Sequence, residues 1–225
     1  ADRVEAMESL SFDIMAESTR EQTAAGRIRL GATEGLGSAV IAPALADFRR
    51  AHPNIDVDLI ALSGFVSVPK RQADMSVLLT RPSAGRLRVR RLTDYSLRLY
   101  GTAEYLAATP PVHSRTDLEQ HTLIGYTEDL IYSSQLRYLD ELLPGLTPHL
   151  CSPSIVAQLE MVAAGAGLGI LPVFMADREP HLVPVLAGDI EVRRSFWLAV
   201  HEDVAGLKRN SLMAGFLAEL LASLP

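Results

Sequence analysis

The residues able to do chemistry are few, and the densest group is Thr33-Glu34-Gly35-Leu36-Gly37-Ser38. Ile28, Leu30 and Ala32 alternate with Arg27, Arg29 and Gly31 before it, the period-two pattern of a strand. Ile41, Leu45 and Phe48 follow at helical spacing, Arg49 and Arg50 suit the last turn, and His52-Pro53-Asn54 stops the helix. The stretch therefore predicts strand, glycine-rich turn and helix. Such a turn aims free backbone N–H groups and partial positive charge at whatever lies above the strand. Thr33 and Ser38 add hydroxyls there. One wall of a small-molecule site is expected at this turn, with a tight turn that binds nothing as the alternative. A nucleotide loop is not: Gly31, Gly35 and Gly37 miss the dinucleotide spacing, no Gly-Lys-Ser/Thr follows, and Glu34 would repel phosphate.

Other chemistries have weaker signals. Cys151 precedes Ser152-Pro153-Ser154, a helix-start signature, and a helix N-terminus can lower a thiol pKa. A small buried hydrophobe is the plainer reading. The six histidines lack paired ligand spacing, so no metal site is expected. There is no Gly-x-Ser-x-Gly nucleophile turn.

The bulk numbers set bounds. A chain of 225 residues, 48% hydrophobic, can bury a real core. No apolar run reaches the roughly 18–20 residues that cross a bilayer. The first residues are acidic and polar, unlike a signal peptide. One cysteine precludes an internal disulfide and suits a reducing compartment, the bacterial cytoplasm by default. A net charge of −6 argues against nucleic-acid binding by the chain as a whole. The basic run Arg86, Arg88, Arg90 alternates with Leu87 and Val89, which predicts the solvent face of one strand.

The remaining pattern supplies the scaffold. Val4, Met7, Leu10, Ile14 and Met15 predict a helix over 1–24, read as the end of a longer one. Strands are predicted at Ile55–Leu62 and Met75–Leu79, with a short helix or turn over 66–72 between them. One or two strands follow over Leu87–Tyr100, with Thr93-Asp94 as a break. Helices are expected at Glu104–Ala107, Gln135–Leu143, after Ser154 and from Gly206 onward. Strands are expected at Leu123–Tyr126, Leu168–Leu171, His181–Val185 and Ile190–Val200. Gly165 suits a left-handed helix end. Alternating strands and helices imply a parallel sheet whose ligands bind beyond the strands' carboxyl ends, where Thr33, Ser63 and Thr80 would sit.

GRIRLGAT, FRRAHPNIDVDL, RQADMSVLLTRP, LRVRRLTDYSLRLYGTAEYL and AAGAGLGILPVFMA, spread over roughly 26–222, together resemble the effector-binding region of bacterial LysR-type transcriptional regulators. The resemblance implies an α/β fold of two Rossmann-like lobes joined by two crossover strands, similar to type 2 periplasmic binding proteins. Residues 1–24 would be the end of a linker helix, 26–94 plus 198–225 lobe I, and 95–197 lobe II. The crossovers would lie near 94–96 and 194–196. Family contacts carried over by position fall on Thr33 and Glu34, on Leu62, Ser63 and Gly64, on Tyr126 and Thr127, and on Ser152 and Ser154. Phe65, Tyr126 and Tyr132 could flank an apolar ligand body. The resemblance also implies a small organic, carboxylate-bearing effector, a homodimer or tetramer, and DNA contact only through a missing N-terminal domain. No enzyme activity, cofactor or membrane partner is implied. Glu34 departs from the neutral or apolar residue common at its position, and suits a ligand amine or hydroxyl. A transport solute-binding protein, which would share the fold, and an enzyme using Cys151 are the alternatives.

Overall fold

The computed structural model describes residues 24–64 and 72–224. The helix expected over 1–24 and the helix or turn over 66–72 fall almost wholly outside the described residues, as does Phe65. Strand β1 (Gly26–Thr33) buries Ile28 and Leu30 and turns Arg27 and Arg29 outward, as its alternation requires. It pairs in parallel with β2 (Ile55–Leu62) on one side and with β3 (Met75–Leu78), buried throughout, on the other. Two long strands then run antiparallel, β4 (Leu87–Thr102) and β9 (Val192–His201). The far end holds β7 (Leu168–Pro172), β5 (Leu123–Gly125) and β6 (Leu150–Cys151), parallel to one another, with β8 (Leu182–Val185) against β4.

The order is β2-β1-β3-β9-β4-β7-β5-β6. Two parallel trios are thus tied by the antiparallel pair β4–β9, so the sheet is mixed and not parallel throughout. The expected break at Thr93-Asp94 is instead a bulge in one continuous strand, with the register shifting between Arg91 and Thr93. An extra residue bends a strand and sharpens its twist without ending the ladder. Arg86, Arg88 and Arg90 are exposed, as predicted.

The helices depart from expectation at one informative place. No turn separates β1 from its helix. The chain passes from Thr33 directly into α1 (Glu34–Leu36), a π-helical turn (Gly37–Ile41) and α2 (Ala42–Ala51). Gly35 and Gly37 serve close approach. A Cβ on Gly35 would lie 2.7 Å from Met175 Sδ and 2.9 Å from Ile155 Cγ2, and one on Gly37 only 2.5 Å from Ala61 Cβ. Short helices α3 (Ala103–Ala108) and α4 (Tyr138–Leu142) follow. The helix expected over Gln135–Leu143 is split, because Arg137 leaves helical geometry and the Gln135 carbonyl accepts from Arg194 Nε instead.

Helix α5 (Ile155–Ala163) starts at Ser154, whose Oγ accepts from Ala157 N at 3.0 Å. It ends at Gly165, whose φ of +74° favours glycine. Helices α6 (Val173–Ala176) and α7 (Glu202–Ala205) are single turns, and α8 (Lys208–Leu221) buries Met213, Leu217 and Leu221. The helix expected from Gly206 is α8, which begins two residues later at Lys208, and the single turn α7 precedes it. Phe216 of α8 packs on Phe48 of α2 at 5.1 Å, closing the core beside β1. Among the described residues no helix is long and apolar enough to cross a membrane.

Candidate functional site

The carboxyl end of β1 faces the start of α5 across a narrow cleft, partly open to solvent. Glu34, the first residue of α1, projects into it. Its Oε2 accepts from Ser63 Oγ at 2.7 Å, just past β2. Its Oε1 accepts from Ser154 Oγ at 2.9 Å, on the other side of the cleft. One carboxylate therefore bridges hydroxyls from both ends of the sheet. Ser154 Oγ uses both capacities of a hydroxyl, donating to Glu34 and capping α5. Hydrogen bonds to a charged acceptor contribute about 1.5–3 kcal/mol each.

The floor and sides are aromatic. Tyr95 of β4 and Phe196 of β9 stack in parallel at 4.1 Å where the two long strands pass each other. Phe174 of α6 meets the edge of Tyr95 at 5.8 Å, and Tyr126 meets Tyr138 of α4 at 6.0 Å. Tyr132 completes this wall. Burial pushes the phenols of Tyr95, Tyr126 and Tyr138 well above their ordinary range. Burial, with the charge of Glu34 adding to it, raises Tyr132 to about 12. The phenols stay neutral near pH 7, as faces and hydrogen-bonding groups. Arg194 lies over the Tyr138 ring at 5.6 Å, ion-paired with Glu141, and does not line the cleft.

The predicted site residues divide in space. Thr33, Glu34, Ser63, Tyr126 and Tyr132 line the cleft, and Ser154 reaches it through Glu34. Gly64 lines an adjoining hollow with Thr80, which shares Thr33, Leu79 and Tyr132 with the cleft. Leu62 is 53% exposed and lines neither. Thr127 lies outside both, its carbonyl accepting from Leu130 N at the next turn. Ser152 is used locally, accepting from Ser154 N at 3.1 Å. Ser38 is exposed, away from the cleft. Cys151, expected as a buried hydrophobe, is exposed, because β6 is a two-residue edge strand. Tyr95, Tyr138, Phe174 and Phe196 were not foreseen as site residues. In sequence they are ordinary core aromatics, and nothing local marks them.

The arrangement alters the electrostatics expected at α5. Glu34 already supplies a carboxylate to the helix-start hydroxyl that a ligand anion would use. Chemically, the cleft can hold a small organic body between rings and present it with one negative charge.

Residues 21–222 match the family model of the LysR substrate binding domain. The HTH-type transcriptional regulator PtxR of Pseudomonas aeruginosa is 27% identical over 157 residues, covering 68% of this chain and 50% of PtxR. The chain thus spans about half the length of that relative. The Mau operon transcriptional activator of Paracoccus denitrificans is 23% identical over 227 residues, covering 96% of this chain and 74% of that protein. The fold is also that of the regulatory domain of CrgA, a LysR-type transcriptional regulator from Neisseria meningitidis. There the TM-score is 0.77 at 24% identity, over 87% of this chain and 98% of the other. The effector domain of the transcriptional regulator AmpR of Pseudomonas aeruginosa gives 0.71 at 23% identity, over 88% and 96%.

Proposed function

This chain belongs to the LysR substrate-binding-domain family, and from that premise we propose that it is the effector-sensing region of a DNA-binding transcriptional regulator. It takes a small organic effector into the cleft lined by Thr33, Glu34, Ser63 and Tyr126. The observation that carries this reading is the Glu34 carboxylate, held by Ser63 on one side and Ser154 on the other above an aromatic floor. We read residues 26–94 with 198–225 as lobe I and 95–197 as lobe II. Asp94 opposite Ser195 and Tyr95 opposite Arg194 then mark the crossing.

Mechanism follows from that division. Lobe I brings Thr33, Glu34 and Ser63 to the cleft, and lobe II brings Tyr126 and the capped start of α5. An effector that contacts both lobes favours the angle at which both sets of contacts form. A changed angle alters how subunits of a dimer or tetramer pack, and so repositions a DNA-binding module outside this chain. The effector shifts that equilibrium only as far as it prefers one lobe arrangement. The work is sensing within the cytoplasm, not turnover, and the exposed Cys151 does not line the cleft. A carboxylate-bearing effector is what the helix N-termini favour taken alone, but Glu34 occupies the α5 start with the protein's own carboxylate.

The test is thermal unfolding of this chain against aliphatic and aromatic carboxylates, amines, amino acids, sugars and phosphates. A ligand at 100 times its Kd adds about 2.7 kcal/mol and raises the melting point by several degrees. One chemical class is expected to do so, with the compound recovered unchanged. Thr33→Val should weaken that binding and leave the fold intact. Stabilisation by no compound, or chemical conversion of the one that binds, would contradict the reading.

A further inference from the structure

Resting on the effector-sensing reading, we propose that the group recognised in this cleft is a small organic cation, an ammonium presented to Glu34 among aromatic rings. Among the described residues that line the cleft, Glu34 is the one that carries a charge. Among the described residues its two partners are neutral hydroxyls, Ser63 and Ser154, and no cation pairs with it. Two hydroxyls leave part of a carboxylate's accepting capacity unused, since it offers about four lone-pair sites. A half-buried carboxylate gains most from a partner that supplies both donors and positive charge.

The rings point to the same class. Tyr95, Tyr126, Tyr132, Tyr138, Phe174 and Phe196 line the cleft around that charge. The faces of such rings attract ammonium groups, and several together favour a cation over an equally sized neutral body. Burial, then the charge of Glu34, pushes Tyr132 to about 12, so the phenols add no competing charge near neutral pH. Arg194, the guanidinium behind Tyr138, is engaged with Glu141 and the Gln135 carbonyl and offers no anchor for an anion. Among the described residues, a ligand carboxylate or phosphate would stand beside Glu34 with no lining cation to offset the repulsion. The net charge of −6 adds a general attraction for cations.

A matched trio of probes separates the chemistry: 2-phenylethylammonium, 2-phenylethanol and 3-phenylpropanoate, each titrated calorimetrically into this chain at pH 7. The expected order of affinity is ammonium, then alcohol, then carboxylate. In Glu34→Gln the ammonium should lose about tenfold or more in affinity while the alcohol changes little. Ser63→Ala keeps the charge and should keep the ammonium preference. Should Glu34→Gln fail to fold, the wild-type chain still decides: ammonium binding should weaken with added salt and alcohol binding should not. Equal or tighter binding of the alcohol or the carboxylate, or an ammonium affinity untouched by Glu34→Gln, overturns the cationic assignment and leaves effector sensing standing. Failure of the trio and of every class in the wider panel overturns both.

Discussion

Removing the Ser154 hydroxyl should cost more than a lost helix cap, and most of the excess should disappear when Glu34 is neutralised. Ser154 Oγ accepts from Ala157 N at 3.0 Å and donates to Glu34 Oε1 at 2.9 Å. Loss of a serine cap costs about 1 kcal/mol. Loss of a hydrogen bond to a half-buried carboxylate costs about 1.5 kcal/mol, the lower end of the charged range. Ser154→Ala should therefore destabilise by roughly 2.5 kcal/mol, a fall in melting point of about 5–10 °C for a chain of this size. Ser154→Thr keeps both bonds and should stay within about 1 kcal/mol of wild type. In a Glu34→Gln background Ser154→Ala should cost about 1 kcal/mol less, since a neutral acceptor holds the hydroxyl more weakly. Urea unfolding of the four proteins of this double-mutant cycle measures the coupling. A cycle that closes to within about 0.3 kcal/mol would refute the bridge between the two sides of the cleft.

Four further perturbations probe the frame and its charges. Gly37→Ala should destabilise by about 1–3 kcal/mol despite better helix propensity, because its Cβ would meet Ala61 Cβ at 2.5 Å. Gly64→Ala, with nothing within 4 Å, should stay within about 0.5 kcal/mol in the same denaturation assay. Burial raises Tyr95, Tyr126 and Tyr138 and, helped by Glu34, takes Tyr132 to about 12. The stability these raised values represent is complete below about pH 10 and lost as pH climbs through them. Phenolate absorbance at about pH 11 should show fewer than half of the six tyrosines ionised, and a full six-tyrosine signal from the folded chain would contradict the buried wall. At the acid end, backbone and side-chain donors of His113 and Ser114 hold Asp117 low, Arg115 holds Asp189 low, and Arg193 with Ser96 holds Glu191 low. Depressed values stabilise above the ordinary carboxylate range and fail as pH falls through them. The urea midpoint should be level from about pH 5 to 8 and drop below about pH 4, less steeply in Asp117→Asn.

The sequence made some of this legible and hid the rest for physical reasons. β1 could be read because one of its faces is buried, so Ile28 and Leu30 alternate with Arg27 and Arg29. The start of α5 could be read because capping is local chemistry, Ser154 bonding to a backbone N–H three residues on. The glycines of 35 and 37 misled because turn propensity and close packing call for the same residue. The reason for their missing Cβ atoms lies in Met175, Ile155 and Ala61, which no local pattern connects to them. The bulge in β4 left Thr93-Asp94 looking like a break, since an extra residue shifts the alternation without ending the strand. Half of the cleft was hidden in the same way. Glu34, Ser63 and Ser154 are polar residues at element ends, where ligands are met. Tyr95, Phe174 and Phe196 become a floor only because β4 and β9 cross beneath them, and in sequence they are indistinguishable from core.

The central claim is that one small molecule touches both sides of this cleft. Amide hydrogen exchange on the chain, with and without the compound that stabilises it most, tests that directly. Bound ligand is expected to slow exchange together at the β1–α1 junction around Thr33–Leu36 and in the first turn of α5 around Ile155–Gln158, with the outer strand ends unchanged. Protection on one side alone, or away from both, would contradict the cleft as the sensing site.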